Sequence, residues 1–133
     1  MDAPQPRHCT CDSGAAAARA RTEVRRFLDD ALGQGHTVST ALQDAALLVT
    51  SELVTNAVRH TPGPCSMDVS WSRDGIDIDV TDPSPERPRP RQADPVGTGG
   101  YGWPLVHRLA SRVDVRSTPQ GGKTIHVHLS GTP

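Results

Sequence analysis

A carboxylate and a carboxamide stand four residues apart in the run Ser51-Glu52-Leu53-Val54-Thr55-Asn56-Ala57-Val58-Arg59-His60. Four residues is just over one helical turn, so Glu52 and Asn56 share a face of an otherwise apolar helix. A carboxylate in such a place can accept a proton from an attacking hydroxyl or water. A neutral carboxamide oxygen one turn on suits a hard cation such as Mg²⁺, which keeps waters and phosphate oxygens among its ligands. Three further features lie downstream. Asp82 ends a stretch of alternating polarity, where an ionised carboxylate can accept a hydrogen bond from a base amine. Gly97, Gly99, Gly100 and Gly102 precede a helix, so backbone can approach a phosphate closely at a terminus that favours anions. Gly121-Gly122-Lys123-Thr124 leads into the last apolar alternation. Each also has an ordinary interpretation. Asp82-Pro83 is a common turn start, Gly121-Gly122 a hairpin turn, Lys123 a solvated strand residue, and His60 the close of its helix.

The elements that must hold these residues follow from period and punctuation. Residues 1–14, rich in Pro, Ala, Ser and Gly, are expected to form a disordered tail. A first helix runs from about Ala15 to Leu32, with Val24, Phe27, Leu28, Ala31 and Leu32 on one stripe, and Gly33 and Gly35 end it. A second runs from about Thr40 to His60 through Leu42, Ala45, Ala46, Val49, Leu53, Ala57 and Val58, and stops at Thr61-Pro62-Gly63-Pro64. The period then changes to two. Met67, Val69 and Trp71 alternate, Asp74-Gly75 signals a hairpin, and Ile76, Ile78 and Val80 return. Residues 83–99 have no period, and a structureless stretch of that length is more often functional or mobile. A short helix follows from about Pro104 to Ser111, then strands at Val113–Val115 and Thr124–Leu129. Hairpin-like strand pairs with helices on one face predict an α+β two-layer sandwich, its mixed sheet mostly antiparallel.

Composition narrows the classes. At 133 residues, the chain holds one domain with a real core. A net charge of −1 gives no nucleic-acid footprint and no preference for a membrane surface. No apolar run approaches the ~20 residues of a membrane-spanning helix, and no secretory leader is visible, so the expected location is the cytoplasm. Three cysteines, Cys9, Cys11 and Cys65, do not suggest a disulfide framework. His8-Cys9-Thr10-Cys11 has no second half to complete a metal site.

In order and spacing these features resemble the nucleotide-binding domain of the GHKL (Bergerat-fold) ATPases. The likeness points to their small single-domain branch, the anti-sigma-factor serine/threonine kinases that regulate transcription in bacteria. It covers about Arg21 to Leu129, and Glu52 to His60 follows the N box of that branch almost letter for letter. The resemblance implies ATP and Mg²⁺ as cofactors, with Glu52 as general base, Asn56 on the metal and Asp82 on the adenine amine. It also implies Gly97, Gly99, Gly100 and Gly102 on the phosphates, Thr124 near the adenine, residues 83–99 as an ATP lid, and 15–130 as the ATP-binding domain. One of Arg87, Arg89 and Arg91 could meet the γ-phosphate when that lid closes. Trp71 and Trp103 are expected to pack in the core or at the lid base.

The implied function is phosphorylation of a Ser or Thr on an anti-anti-sigma (STAS-type) antagonist, with a sigma factor as second partner and a homodimer common among relatives. Two alternatives are a non-catalytic ATP-binding switch and a detached histidine-kinase-type catalytic domain. The departures from the pattern bear on these. Asp82-Pro83-Ser84-Pro85 replaces D-x-G-x-G, Tyr101, Trp103 and Pro104 replace small and aliphatic residues, and Thr98 stands where some kinases carry Arg.

Overall fold

In a computed structural model, residues 3–11, 14–60, 63–87 and 102–131 are described, His60 by its backbone alone. They form β1 (Arg7–Cys11), α1 (Ala16–Gly33), α2 (Thr40–His60), β2 (Cys65–Ser72), β3 (Gly75–Asp82), α3 (Gly102–Leu109), β4 (Arg112–Ser117) and β5 (Lys123–Ser130). The strands make one sheet in the order β1-β2-β3-β5-β4, every pairing antiparallel. The architecture is therefore the expected α+β sandwich, with α1 and α2 packed over β1, β2, β3 and β5.

Local chemistry sets the boundaries. Ser39 caps α2 by accepting the Leu42 N–H at 3.1 Å. Gly35, with φ 91°, is the left-handed stop after α1, and the His36 N–H reaches back to the Ala31 carbonyl at 3.0 Å. Gly75 is not the residue that turns the hairpin; positive φ falls on Arg73, at 52°. Gly75 sits within β3 because β5 crosses it closely, and a Cβ there would lie 2.9 Å from the Leu129 carbonyl carbon.

The core lies between the helices and one face of the sheet. Phe27 and Leu53 from the helices meet Met67, Val69, Ile76, Ile78, Ile125, Val127 and Leu129 from the strands, all buried. Each such side chain contributes on the order of 1.5–3 kcal/mol. Trp71 packs beside Phe27, ring centroids 6.5 Å apart, and Trp103 packs against the same core. Leu32, Val58 and Leu109, expected inside, are exposed.

The N-terminal segment corrects an expectation. Arg7–Cys11 is not a disordered tail but the edge strand of the sheet, paired with Cys65 to Val69 of β2. Arg7 ties it to α1 by ion pairs with Glu23 and Asp30, both 3.2 Å, which lie seven residues apart on one helix face. Among the described residues, no helix is long and apolar enough to cross a membrane.

Candidate functional site

Two contacts fix how α2 lies on the sheet. Leu42, at its start, reaches Gly131, whose N–H bonds the Asp74 carbonyl just before β3. Gly63, just past its end, lies against Pro83 just past β3; a Cβ on Gly63 would meet the Pro83 ring at 2.9 Å. The helix and the strand therefore run in the same direction. Their lengths match, since 21 helical residues and 8 extended ones both span roughly 27–31 Å. The C-terminal half of α2, which carries Glu52 and Asn56, is thus brought toward the end of β3 that carries Asp82.

Glu52 and Asn56 are half-buried. Beside Glu52, Ser51 accepts a hydrogen bond from Arg21 of α1 at 2.9 Å. Gly102 opens α3 directly against Glu52, and a Cβ at Gly102 would collide with the Glu52 carboxylate. A side chain at 102 would push the Glu52 carboxylate from this position. A helix N-terminus, where anions are favoured, therefore adjoins the carboxylate.

Asp82 is the last inward residue of β3, with its side chain 2% exposed. The Lys123 ammonium lies 3.0 Å from its Oδ1 and also donates to the Ser84 carbonyl at 3.2 Å. The Ser84 N–H donates to the same Asp82 oxygen at 2.8 Å. Lys123 is thus no solvated strand residue; its side chain is 9% exposed. Ser84 takes the place of the family glycine without strain. Among the described residues, Arg73 alone has positive φ outside glycine. The Ser84 backbone N–H instead closes a turn on the Asp82 carboxylate.

Thr124 is not beside Asp82. The strand alternation puts Lys123, Ile125, Val127 and Leu129 on the helix side, and Thr124 on the open face, where its hydroxyl meets that of Thr81 at 2.8 Å. Asp82 and Lys123 are register partners, as are Thr81 and Thr124, so a single-residue offset decides which side chain meets the carboxylate. Lys123, not Thr124, is the β5 side chain that meets the Asp82 carboxylate, and the motif gave no signal for it.

Gly97, Gly99 and Gly100, with Thr98, Tyr101, Arg89, Arg91 and most of the expected lid, lie outside the described residues. Arg87 is exposed. Among the described residues, no group of three or more His, Cys, Asp or Glu is placed to hold a metal ion.

A helix bearing a carboxylate and a carboxamide, laid along an antiparallel sheet toward a strand-end aspartate, is the arrangement of a GHKL-type ATPase sandwich. The chain matches the histidine kinase-like ATPase domain over residues 14–128, and it belongs to that family. No curated protein matches it. Membership implies ATP binding, generally with Mg²⁺. The residues present fit such a group. Asn56 carries a neutral oxygen of the kind such a cation takes, and the missing Cβ of Gly102 leaves open the approach to Glu52.

Proposed function

We propose that the chain is an ATP- and Mg²⁺-dependent regulatory kinase of the anti-sigma-factor type. It phosphorylates a Ser or Thr of a STAS-type antagonist and holds a sigma factor when that antagonist is modified. The observation that carries this is the placement of Glu52 against Gly102, at the start of α3 and toward the Asp82 end of the sheet. Mg-ATP, when bound, supplies the phosphoryl group. Glu52 takes the proton of the attacking hydroxyl. Asn56 gives its oxygen to the metal, Gly102 admits the phosphates to the helix terminus, and Asp82 accepts from the adenine amine through the oxygen not held by Lys123 and Ser84. The test is phosphotransfer to a purified STAS-type antagonist by wild type and Glu52→Ala. The kinase reading expects transfer to vanish in the variant with ATP affinity largely kept; transfer that persists overturns it.

A second reading, ATP binding and partner switching without phosphotransfer, is supported by the ion pair between Lys123 and Asp82. That pair commits half of the base-reading carboxylate to the protein itself. Wild type that binds Mg-ATP but transfers nothing to the antagonist would select this reading.

A further inference from the structure

The three cysteines, far apart in sequence, meet at the β1 edge of the sheet. Cys9 and Cys11 alternate toward the helix side of β1, and Cys65 opens β2 as the direct register partner of Cys11. All three are thiols. Cys11 and Cys65 are buried, 1% and 3% exposed, and the Cys65 thiol donates to the Cys11 carbonyl at 3.3 Å. Directly opposed residues of an antiparallel pair have Cα atoms about 4.5–5.5 Å apart. Either value lies inside the window a disulfide needs, about 4.4–6.8 Å. Cys9 opposes Met67, so its own cross-strand neighbour is not a thiol.

We propose that Cys11 and Cys65 form a reversible oxidation site, closing to a cross-strand disulfide when the protein meets a peroxide. In the first step the Cys65 sulfur attacks one oxygen of hydrogen peroxide. The O–O bond breaks, and hydroxide leaves to become water with the thiol proton. In the second, the Cys11 sulfur attacks the resulting sulfenic acid. The S–O bond breaks, and the Cys11 proton leaves in a second water. Two thiols have lost two electrons, and one peroxide has gained them.

Charge and access favour this order. Hydrogen bonding from the Cys11 thiol lowers the Cys65 pKa, which enriches the attacking thiolate. The Cys9 thiol is pushed up to about 11, first by burial and then by Cys11, and stays protonated. Cys65 also lines a cavity of about 320 Å³ together with Thr10, Pro64, Ser66, Thr81 and Asp82, which admits a molecule the size of peroxide. Glu52 and Asn56 do not line this cavity, whereas Asp82 does, so the oxidation site borders the proposed adenine contact and not the proposed base and metal ligand.

The full chain is exposed to hydrogen peroxide, remaining thiols are blocked with N-ethylmaleimide, and the unreduced peptides are mapped by mass spectrometry. The expected product is one intramolecular peptide joining Cys11 to Cys65, lost on treatment with dithiothreitol and still formed in Cys9→Ser. Because the bond joins residues 54 apart, the oxidised protein should melt several degrees above the reduced one. The wild-type map decides without any core substitution. Three blocked thiols after peroxide, over-oxidised Cys65 without a bond, a bond through Cys9, or a bond between chains would each overturn the proposal.

Discussion

Both faces of β3 and β5 pair a carboxylate with a nitrogen base, in different settings. On the helix side, apolar rows end in Asp82 and Lys123, with side chains 2% and 9% exposed. On the open face Asp77 pairs with His128 and Asp79 with His126, both at 2.7 Å, and on β1 and β2 His8 pairs with Asp68. The open-face pairs are only partly buried and lean on each other, with His126 also 3.5 Å from Asp77. The buried pair has no such alternative. An ion pair's contribution is set by what replaces it when it breaks, and only the inner one leaves a stranded charge. The faces thus divide the work: the outer keeps the sheet solvated, and the inner closes the core at the point where a base would be read.

The largest expected effect is therefore at Asp82. Asp82→Ala leaves the Lys123 ammonium buried beside one carbonyl and should cost about 3–5 kcal/mol, measured by urea unfolding. The double variant Asp82→Leu/Lys123→Met should recover much of that loss, the non-additivity expected of a coupled pair. Additive losses would mean that the two residues act separately. Next comes Gly102→Val. Its side chain must displace the Glu52 carboxylate, so phosphotransfer or ATP turnover should fall by about 10²-fold or more if Glu52 is the base, while secondary structure by circular dichroism stays intact. On the open face, Asp79→Ala should cost less than about 1 kcal/mol. A loss equal to that of Asp82→Ala would erase the contrast between the faces.

The smallest effect concerns Cys9. Its raised pKa means the fold favours the neutral thiol. The stability this gives is present below the unfolded thiol's range and is lost as pH rises toward about 11. Alkylation of Cys9 by iodoacetamide in the Cys11→Ser/Cys65→Ser background checks the environment. With Cys11 gone, burial remains the chief cause, beside the smaller and opposed effects of Glu23 and Arg19, and the rate should still climb above pH 9. A plateau by neutral pH would contradict burial as the chief cause.

Much of this architecture can be read from local pattern. The α2 helix begins and ends where period and proline place it, because its apolar spacing and the Thr61–Pro64 stop are local signals. The β1 strand had none. Of the three residues that face the helices, Arg7, Cys9 and Cys11, none is a large apolar side chain, and the strand partners of the two cysteines lie more than fifty residues away, so composition alone reads as tail. The Lys123 position is a different case. Its signal was present, since alternation with Ile125, Val127 and Leu129 already assigns Lys123 to the inner face and Thr124 to the outer. The motif marks the threonine as a base contact by residue type, whereas parity in the pleat gives Lys123 to the carboxylate. The carboxylate and carboxamide of α2 were plain from spacing, but their approach to Gly102 depends on where α3 docks, which no local pattern encodes.

The nucleotide site itself is tested most directly by calorimetric titration of ATP into wild type and Asn56→Ala, each with and without Mg²⁺. Wild type should bind ATP more tightly when Mg²⁺ is present, and Asn56→Ala should lose that dependence with its fold retained. No ATP binding by wild type, or equal Mg²⁺-dependent affinity in both proteins, would contradict the placement of the site on α2.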